Sequence, residues 1–381
     1  MKRKLKIAVC MPKTNSFYMS VLFAIKQGFE ENEAEVLPIC QHLEQETLIE
    51  FCNQYKPDIL FEMNRSRHEI PNLPKKIKHI AWIVDLPGKN PSYYNDSEIT
   101  YYMVAPWSKH YNANKKSMVD WLPPGAATNT YYYNELSPNS DFSFVGHIPA
   151  PWTKEESSRP LFQYNSHEIV FSDYFNYLAD DWPSHIMDNL EQTSSKNLAS
   201  QILERLYKQS IEISDQTLCY DIAMRTYRIL NRSTLINIAL KYSKSLNLYG
   251  PNNWKKWPQY RSYYKYFVHD SNEIRRIYQR SKINLHEGLD LNFRTFDCMA
   301  SGGVLCFMHR NKDKPFGSMY TYFEPNEHYI PLYDDNYEAL DYWIANKKLR
   351  EKIAVNVSQL VKEQHSWKVR TKKIMDDLWE I

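Results

Sequence analysis

The chain has 381 residues, 43% apolar and 24% charged, with a formal net charge of +2. That is enough for two domains with cores of their own, and the near-neutral balance excludes a strong pull toward nucleic acid or an anionic membrane. No apolar run approaches the roughly 20 residues of a membrane-spanning helix. Glycine is scarce at 9 and tyrosine abundant at 29, which suits aromatic sugar or base sites but also follows from A·T-rich coding.

Residues 5–11 (LKIAVCM) predict a buried strand rather than a signal segment, which places the protein in the cytoplasm. The six cysteines form no CxxC pair and no zinc spacing, and they read as reduced, buried residues. A helix follows at 17–29, a strand at 35–39, a helix at 44–55 and a strand at 59–63. The next strand, 79–85, stops at Leu86-Pro87-Gly88. Strands at 99–104 and 117–122, with a short helix over 108–116, complete the unit. Near-continuous apolar strands alternating with helices imply a parallel sheet covered on both faces. Pro123-Pro124-Gly125 ends the unit and 134–141 is the linker, giving a first domain over 1–135.

A second domain, 136–365, opens with a strand at 142–146. Residues 151–245 read as a helical elaboration, with amphipathic helices at 198–207 and 218–230. Strands at 246–249, 283–286 and 304–307 and helices at 273–280, 292–301, 337–346 and 349–363 restore the α/β pattern. A last helix, 366–381, is left over. Ligands of open parallel sheets bind at the carboxyl ends of strands, which directs attention to Asn64, Asp85, Gly146, Gly250, His286 and Glu287.

The segment 281–309 (SKINLHEGLDLNFRTFDCMASGGVLCFMH) reads as strand, loop, helix, glycine stop, strand. Asn292 caps the helix, and Phe293, Phe296 and Ala300 recur at core-facing spacing. Arg294 and Asp297, three apart, share another face near the helix N-terminus. Free N–H groups and the macrodipole attract phosphate there; Arg294 adds a bidentate diphosphate contact and Asp297 accepts from a ribose. An ordinary surface Arg–Asp pair, worth roughly 0.2–0.5 kcal/mol, gives the same spacing.

These residues carry a resemblance. Asn292, Arg294, Phe296, Asp297, Ala300 and Gly302 resemble the donor-binding motif of the group-1 glycosyltransferase superfamily, and more narrowly of CgeB-like (spore-maturation-type) glycosyltransferases. The turn Trp82–Asp85–Pro87, the loop Leu122-Pro123-Pro124-Gly125, the strand Phe144-Val145-Gly146, Leu248-Tyr249-Gly250 with Trp254, and His365-Ser366-Trp367 with Arg370 are similar to further family motifs in the same order. The resemblance implies a GT-B fold, two Rossmann-like domains facing across a cleft with a helical insertion in the second, and a C-terminal helix returning to the first. It implies a glycosyltransferase that moves a sugar from a nucleotide diphosphate sugar, UDP-sugar favoured, to a hydroxyl of a glycan, protein or small molecule. No cofactor or metal ion is implied. Gly146, Tyr249, Gly250, His286, Glu287, Asn292, Arg294 and Asp297 form the expected donor site. Aspartate stands at 297 where the family has glutamate, and Glu287 lies farther from it than the paired glutamates of retaining relatives, which leaves the stereochemistry open.

An inverting transfer needs a base; Asp85 is the first candidate, with Glu62 and His147 as alternatives. Lys255, Lys256, Arg261 and Lys265 alternate with aromatics, as in single-strand nucleic-acid binders; in a nearly neutral chain they read as a donor-side loop. No Asp-x-Asp, GxxxxGK or GxGxxG occurs, and the histidines lack metal spacing. A two-domain sugar-binding protein, a non-catalytic relative and a nucleotide-sugar epimerase share this architecture.

Overall fold

The computed structural model describes residues 3–86, 89–94, 96–108, 117–180, 195–288, 291–309, 316–333 and 336–381. Its first sheet is built from β1 (Lys6–Cys10), β2 (Glu35–Ile39), β3 (Ile59–Met63), β4 (Lys78–Ile83), β5 (Ile99–Tyr102) and β6 (Met118–Trp121). All neighbours pair in parallel in the order β2-β1-β3-β4-β5-β6. Side chains alternate along each strand: Ile7, Val9, Phe61, Ile80 and Trp82 join one core with α1 (Ser16–Glu31). Ala8, Cys10 and Leu60 join another on the opposite face with α2 (Gln45–Tyr55). Such double-sided burial is why these strands read as continuous apolar runs. A four-residue helix, α3 (Ala105–Ser108), follows β5; the rest of the helix expected over 108–116, and Pro87-Gly88, lie outside the described residues.

The second domain starts with β7 (Ser140–Val145). The elaboration that follows differs from the all-helical expectation. After α4 (Lys154–Ser157), β8 (Pro160–Tyr164) and β9 (His167–Val170) form an antiparallel hairpin. Its two turn residues, Asn165 (φ 48°) and Ser166 (φ 65°), are both left-handed. Such turns usually announce themselves through glycine, which is missing here. Then come α5 (Phe171–Asp180), α6 (Ser195–Tyr207), α7 (Gln216–Tyr220) and α8 (Thr226–Tyr242), with a π-helical turn, Asp221–Arg225, joining the last two. Phe171, Tyr174, Leu203 and Ile222 give this insertion a core of its own.

The sheet resumes with β10 (Leu246–Tyr249), β11 (Ser281–His286), β12 (Leu305–Met308) and β13 (Ile330–Leu332), all parallel, in the order β10-β7-β11-β12-β13. The edge strand β13 escapes sequence reading because it is three residues long with Pro331 at its centre, and proline is tolerated only at an edge. Helices α9 (Ser271–Gln279), α10 (Phe293–Ala300), α11 (Ala339–Ala345) and α12 (Lys347–Gln364) belong to this domain.

The last helix, α13 (Trp367–Asp377), lies on the first domain. Asn32 Nδ2 donates to Lys368 O (2.8 Å), Tyr101 Oη donates to Asp377 (2.5 Å), and Trp367 meets Trp82 edge-on at 5.3 Å. At the crossing, Ala126 pairs with Ser366, and the buried Arg370 donates to the carbonyls of Pro123 (3.1 Å) and Pro124 (3.3 Å). All six cysteines are free, five buried and Cys40 exposed. No described helix is long and apolar enough to cross a membrane.

Candidate functional site

A cleft of about 350 Å³ opens between the two domains. Phe17, Ser20 and Val21 of α1 line one wall; Gly146, Gly250, Arg294 and Asp297 line the other. The second wall is where β7 and β10 end and α10 begins, as expected of an open parallel sheet.

Two glycines let this wall form. Arg294 Nη1 donates to Val145 O at 2.8 Å, lying over Gly146 so closely that a Cβ there would come within 2.8 Å of it. Gly250 has φ of +140°, and a Cβ on it would meet Gly146 O at 2.2 Å. Only glycine combines that backbone conformation with that approach.

The charge on this wall is unbalanced. The Glu287 carboxylate, 2% exposed, accepts from Arg232 Nη2 (2.7 Å) and Arg294 Nη2 (2.6 Å) through one oxygen. Burial by itself favours the neutral acid, but the two guanidiniums and His286 reverse that and hold Glu287 well below the usual carboxylate range. Arg232 also donates to His147 O. Burial lowers the Arg232 pKa, with Glu287 opposing and the charges of Arg294 and Arg228 adding to the fall. Burial and these same three cations drive the His147 imidazole down to about 3, so it is neutral. Two guanidiniums thus share the Glu287 carboxylate, with Arg228 close enough to add to their repulsion, and an anion in the cleft would relieve it.

The other expected donor residues divide. Asp297, half-buried, lines the cleft, and no hydrogen bond reaches its carboxylate among the described residues. Burial raises its pKa well above the usual value. Asn292 caps α10: its side chain accepts from Arg294 N–H (3.0 Å), and its carbonyl accepts from Thr295 N–H (3.0 Å). The cap therefore takes N–H groups expected to meet phosphate, leaving the macrodipole and the arginines. His286 lies behind the wall. Its Nδ1 faces Gly288 N–H (3.2 Å) and its Nε2 faces Thr295 Oγ1 and Asn292 Nδ2 (both 3.2 Å); burial holds it at about 4. Glu287 likewise faces its arginines rather than the cleft. Tyr249 packs edge-on against Tyr266 at 5.5 Å and borders a separate recess. Phe293, expected in its own domain's core, turns to the first domain and meets Phe17 and Trp82.

On the first domain, Asp85 is exposed at the end of β4, with Val84 and Asp85 N–H groups donating to Asn64 Oδ1 (2.7 and 3.1 Å). Partial enclosure raises its pKa, opposed chiefly by Arg228 of the second domain. Glu62 is fully buried, bonded to Arg65 and His79, and so is withdrawn from the cleft. Cys10, His42 and Glu62 place possible ligand atoms within 4.8 Å of one another, the one such group among the described residues. The Glu62 carboxylate is already held by Arg65 and His79, and His42 Nε2 bonds Met63 O (2.9 Å). These side chains are partnered without an ion.

Sequence reading missed Arg228 and Arg232. A signal existed: like charges at i,i+4 on a helix repel, so the pair Arg228–Arg232 on α8 asks for an anion.

Residues 229–376 match the family model described as Glycosyl transferase-like. No curated protein matches the chain. Among solved structures, alpha-glucosyltransferase (AGT) in complex with UDP is 10% identical, with 98% of this chain and 99% of that chain covered and a TM-score of 0.55. The same enzyme with UDP and a 13-mer DNA containing a central A:G mismatch gives 11%, 98%, 99% and 0.52. A glycosyltransferase from Rickettsia africae ESF-5 gives 10%, 100%, 99% and 0.51. At such identities the likeness is one of fold. The chain has the GT-B fold of two Rossmann-like domains, and its residues 229–376 are similar to the glycosyl transferase-like (group 1) family.

Proposed function

We propose that the protein is a metal-independent glycosyltransferase that moves a sugar from a nucleoside diphosphate sugar to a hydroxyl acceptor. The observation that carries this reading is the cationic wall: Arg294 in the cleft and Arg232 behind it, both bonded to one oxygen of Glu287, with Arg228 in electrostatic reach of Arg232. A departing nucleoside diphosphate gains negative charge as the glycosidic bond breaks, and fixed guanidiniums stabilise that charge more than they stabilise the substrate. They do the work that a bound cation does elsewhere.

The acceptor oxygen attacks the anomeric carbon as the bond to the diphosphate oxygen breaks. In an inverting transfer the acceptor proton passes to Asp85; in a retaining one it leaves with the diphosphate. Asp297 receives a ribose hydroxyl. UDP is the favoured carrier because a structure of the same fold, alpha-glucosyltransferase, is complexed with it. The acceptor is a glycan, protein or small molecule, and the cytoplasm is the favoured location. A mass-spectrometric screen of nucleotide sugars, with water or added acceptors, tests the reading: release of one nucleoside diphosphate that persists in EDTA and is lost in Arg294→Ala supports it. No release from any sugar nucleotide overturns it.

A further inference from the structure

We infer that Phe293 is a positioning residue that locks the diphosphate-binding wall to the first domain and sets the catalytic closure of the cleft. The inference rests on the transferase reading. Phe293 is the first residue of α10, between the capping Asn292 and Arg294. Its ring meets Phe17 of α1 edge-on at 5.0 Å and 87°, and Trp82 of β4 at 5.8 Å and 64°. Edge-to-face geometry at these separations is the favoured aromatic arrangement.

The far side of the contact is rigid. Trp82 is fully buried, its Nε1–H donates to Leu122 O (2.9 Å), and Trp367 closes on it at 5.3 Å. Three residues along the same strand end stands Asp85, whose backbone is fixed by Asn64. Arg294 is thus one residue from the ring on one domain, and Asp85 three residues from its partner on the other. The neighbouring cross-cleft hydrogen bond, Ser20 Oγ to Ser271 Oγ, is long at 3.4 Å. Phe17 is 45% exposed and helps form its own domain's cleft wall.

Arg294 and Asp297, which line the cleft, and Arg232 behind them all belong to the second domain, while Phe17, Ser20 and Val21 supply the facing wall. Asp85 and the acceptor belong to the first. Loosening the latch therefore lowers turnover while leaving nucleotide affinity intact.

The test compares Phe17→Ala, Phe293→Ala, the double variant, and Phe293→Tyr, which keeps the ring. Nucleoside diphosphate Kd, kcat and acceptor KM are measured, together with the radius of gyration by X-ray scattering. The expected result is a kcat lower by about three- to tenfold in each alanine variant, the size of one aromatic pair. Kd stays within twofold, the double variant is no worse than either single, and Phe293→Tyr recovers most of the rate. Phe17 is on the other domain, so an effect confined to Phe293→Ala, or a parallel loss of nucleotide affinity, would make Phe293 merely part of α10 and overturn the latch. If the wild type binds no nucleoside diphosphate, the transferase reading fails instead. Scattering then decides the latch alone: both alanine variants expand if it exists, and neither does if it does not.

Discussion

Arg294 crosses Gly146 so closely that a methyl group at 146 would stand 2.8 Å from its Nη1 and 2.9 Å from the Phe144 ring. Glycine here makes room for a guanidinium. Gly146→Ala must displace the guanidinium and press on the buried Phe144 ring, but it leaves the backbone in an ordinary conformation. Gly250→Ala would strain backbone, since its Cβ meets Gly146 O at 2.2 Å with φ at +140°. The expected order is a drop in melting temperature larger for Gly250→Ala, with nucleoside diphosphate affinity reduced about tenfold in Gly146→Ala. Thermal melts and calorimetry on both variants check it.

Among the described residues, Glu287 is the one carboxylate bonded to Arg232 and Arg294. Removing it leaves the buried Arg232, and Arg294 on the cleft wall, without their counter-charge. Glu287→Gln should cost roughly 3 kcal/mol of folding stability, read by urea denaturation. Excess positive charge is then relieved by ligand, so a saturating nucleoside diphosphate should raise the melting temperature of this variant more than that of the wild type.

Glu62 gives a pH dependence that has nothing to do with the cleft. Burial alone would raise its carboxyl, but hydrogen bonds from His79 and Arg65 outweigh it and hold the folded-state pKa at about 2, below the ordinary 4.5. A depressed folded pKa stabilises above the unfolded value and is lost as pH falls through the folded one. The contribution, roughly 3 kcal/mol, is complete above about pH 5. It should shrink steadily between pH 4.5 and 2. Denaturation curves of wild type and Glu62→Gln should therefore differ most at neutral pH and converge in acid.

Asp85 is shifted the other way, raised by partial enclosure against the pull of Arg228 and Lys13. If it takes the acceptor proton, kcat/KM should fall as pH drops through a pKa above the ordinary aspartate value of 3.8. Asp85→Asn should abolish that acid limb and reduce the rate by about a hundredfold. A pH profile without the limb removes Asp85 from the mechanism.

The strands were the most legible part of the chain. β2, β3 and β10 appear at the residues their apolar runs predict; breakers such as Lys56-Pro57-Asp58 bound β3, which is buried on both faces, while the edge strand β2 keeps Val36 and Ile39 buried. The β8–β9 hairpin was illegible: its turn has Asn165-Ser166 in place of glycine, and its strands are only half covered. At the site, helical spacing gives Arg294 and Asp297 a shared face of α10, and both side chains line the cleft. Strand-end logic located His286 and Glu287 but not their direction, which depends on partners far along the chain; Arg232 is 55 residues from Glu287. Phe293 has core-facing spacing, and only the docking of the other domain shows that its core is not its own.

The most direct measurement is calorimetric titration of UDP, GDP, TDP and CMP into wild type and Arg294→Ala, each with and without EDTA. One nucleoside diphosphate, UDP in first place, should bind the wild type equally well in EDTA, and Arg294→Ala should weaken it by at least tenfold. Binding that vanishes in EDTA would contradict the metal-independent cationic wall. Binding of none of the four, or binding untouched by the loss of Arg294, would contradict the donor site itself.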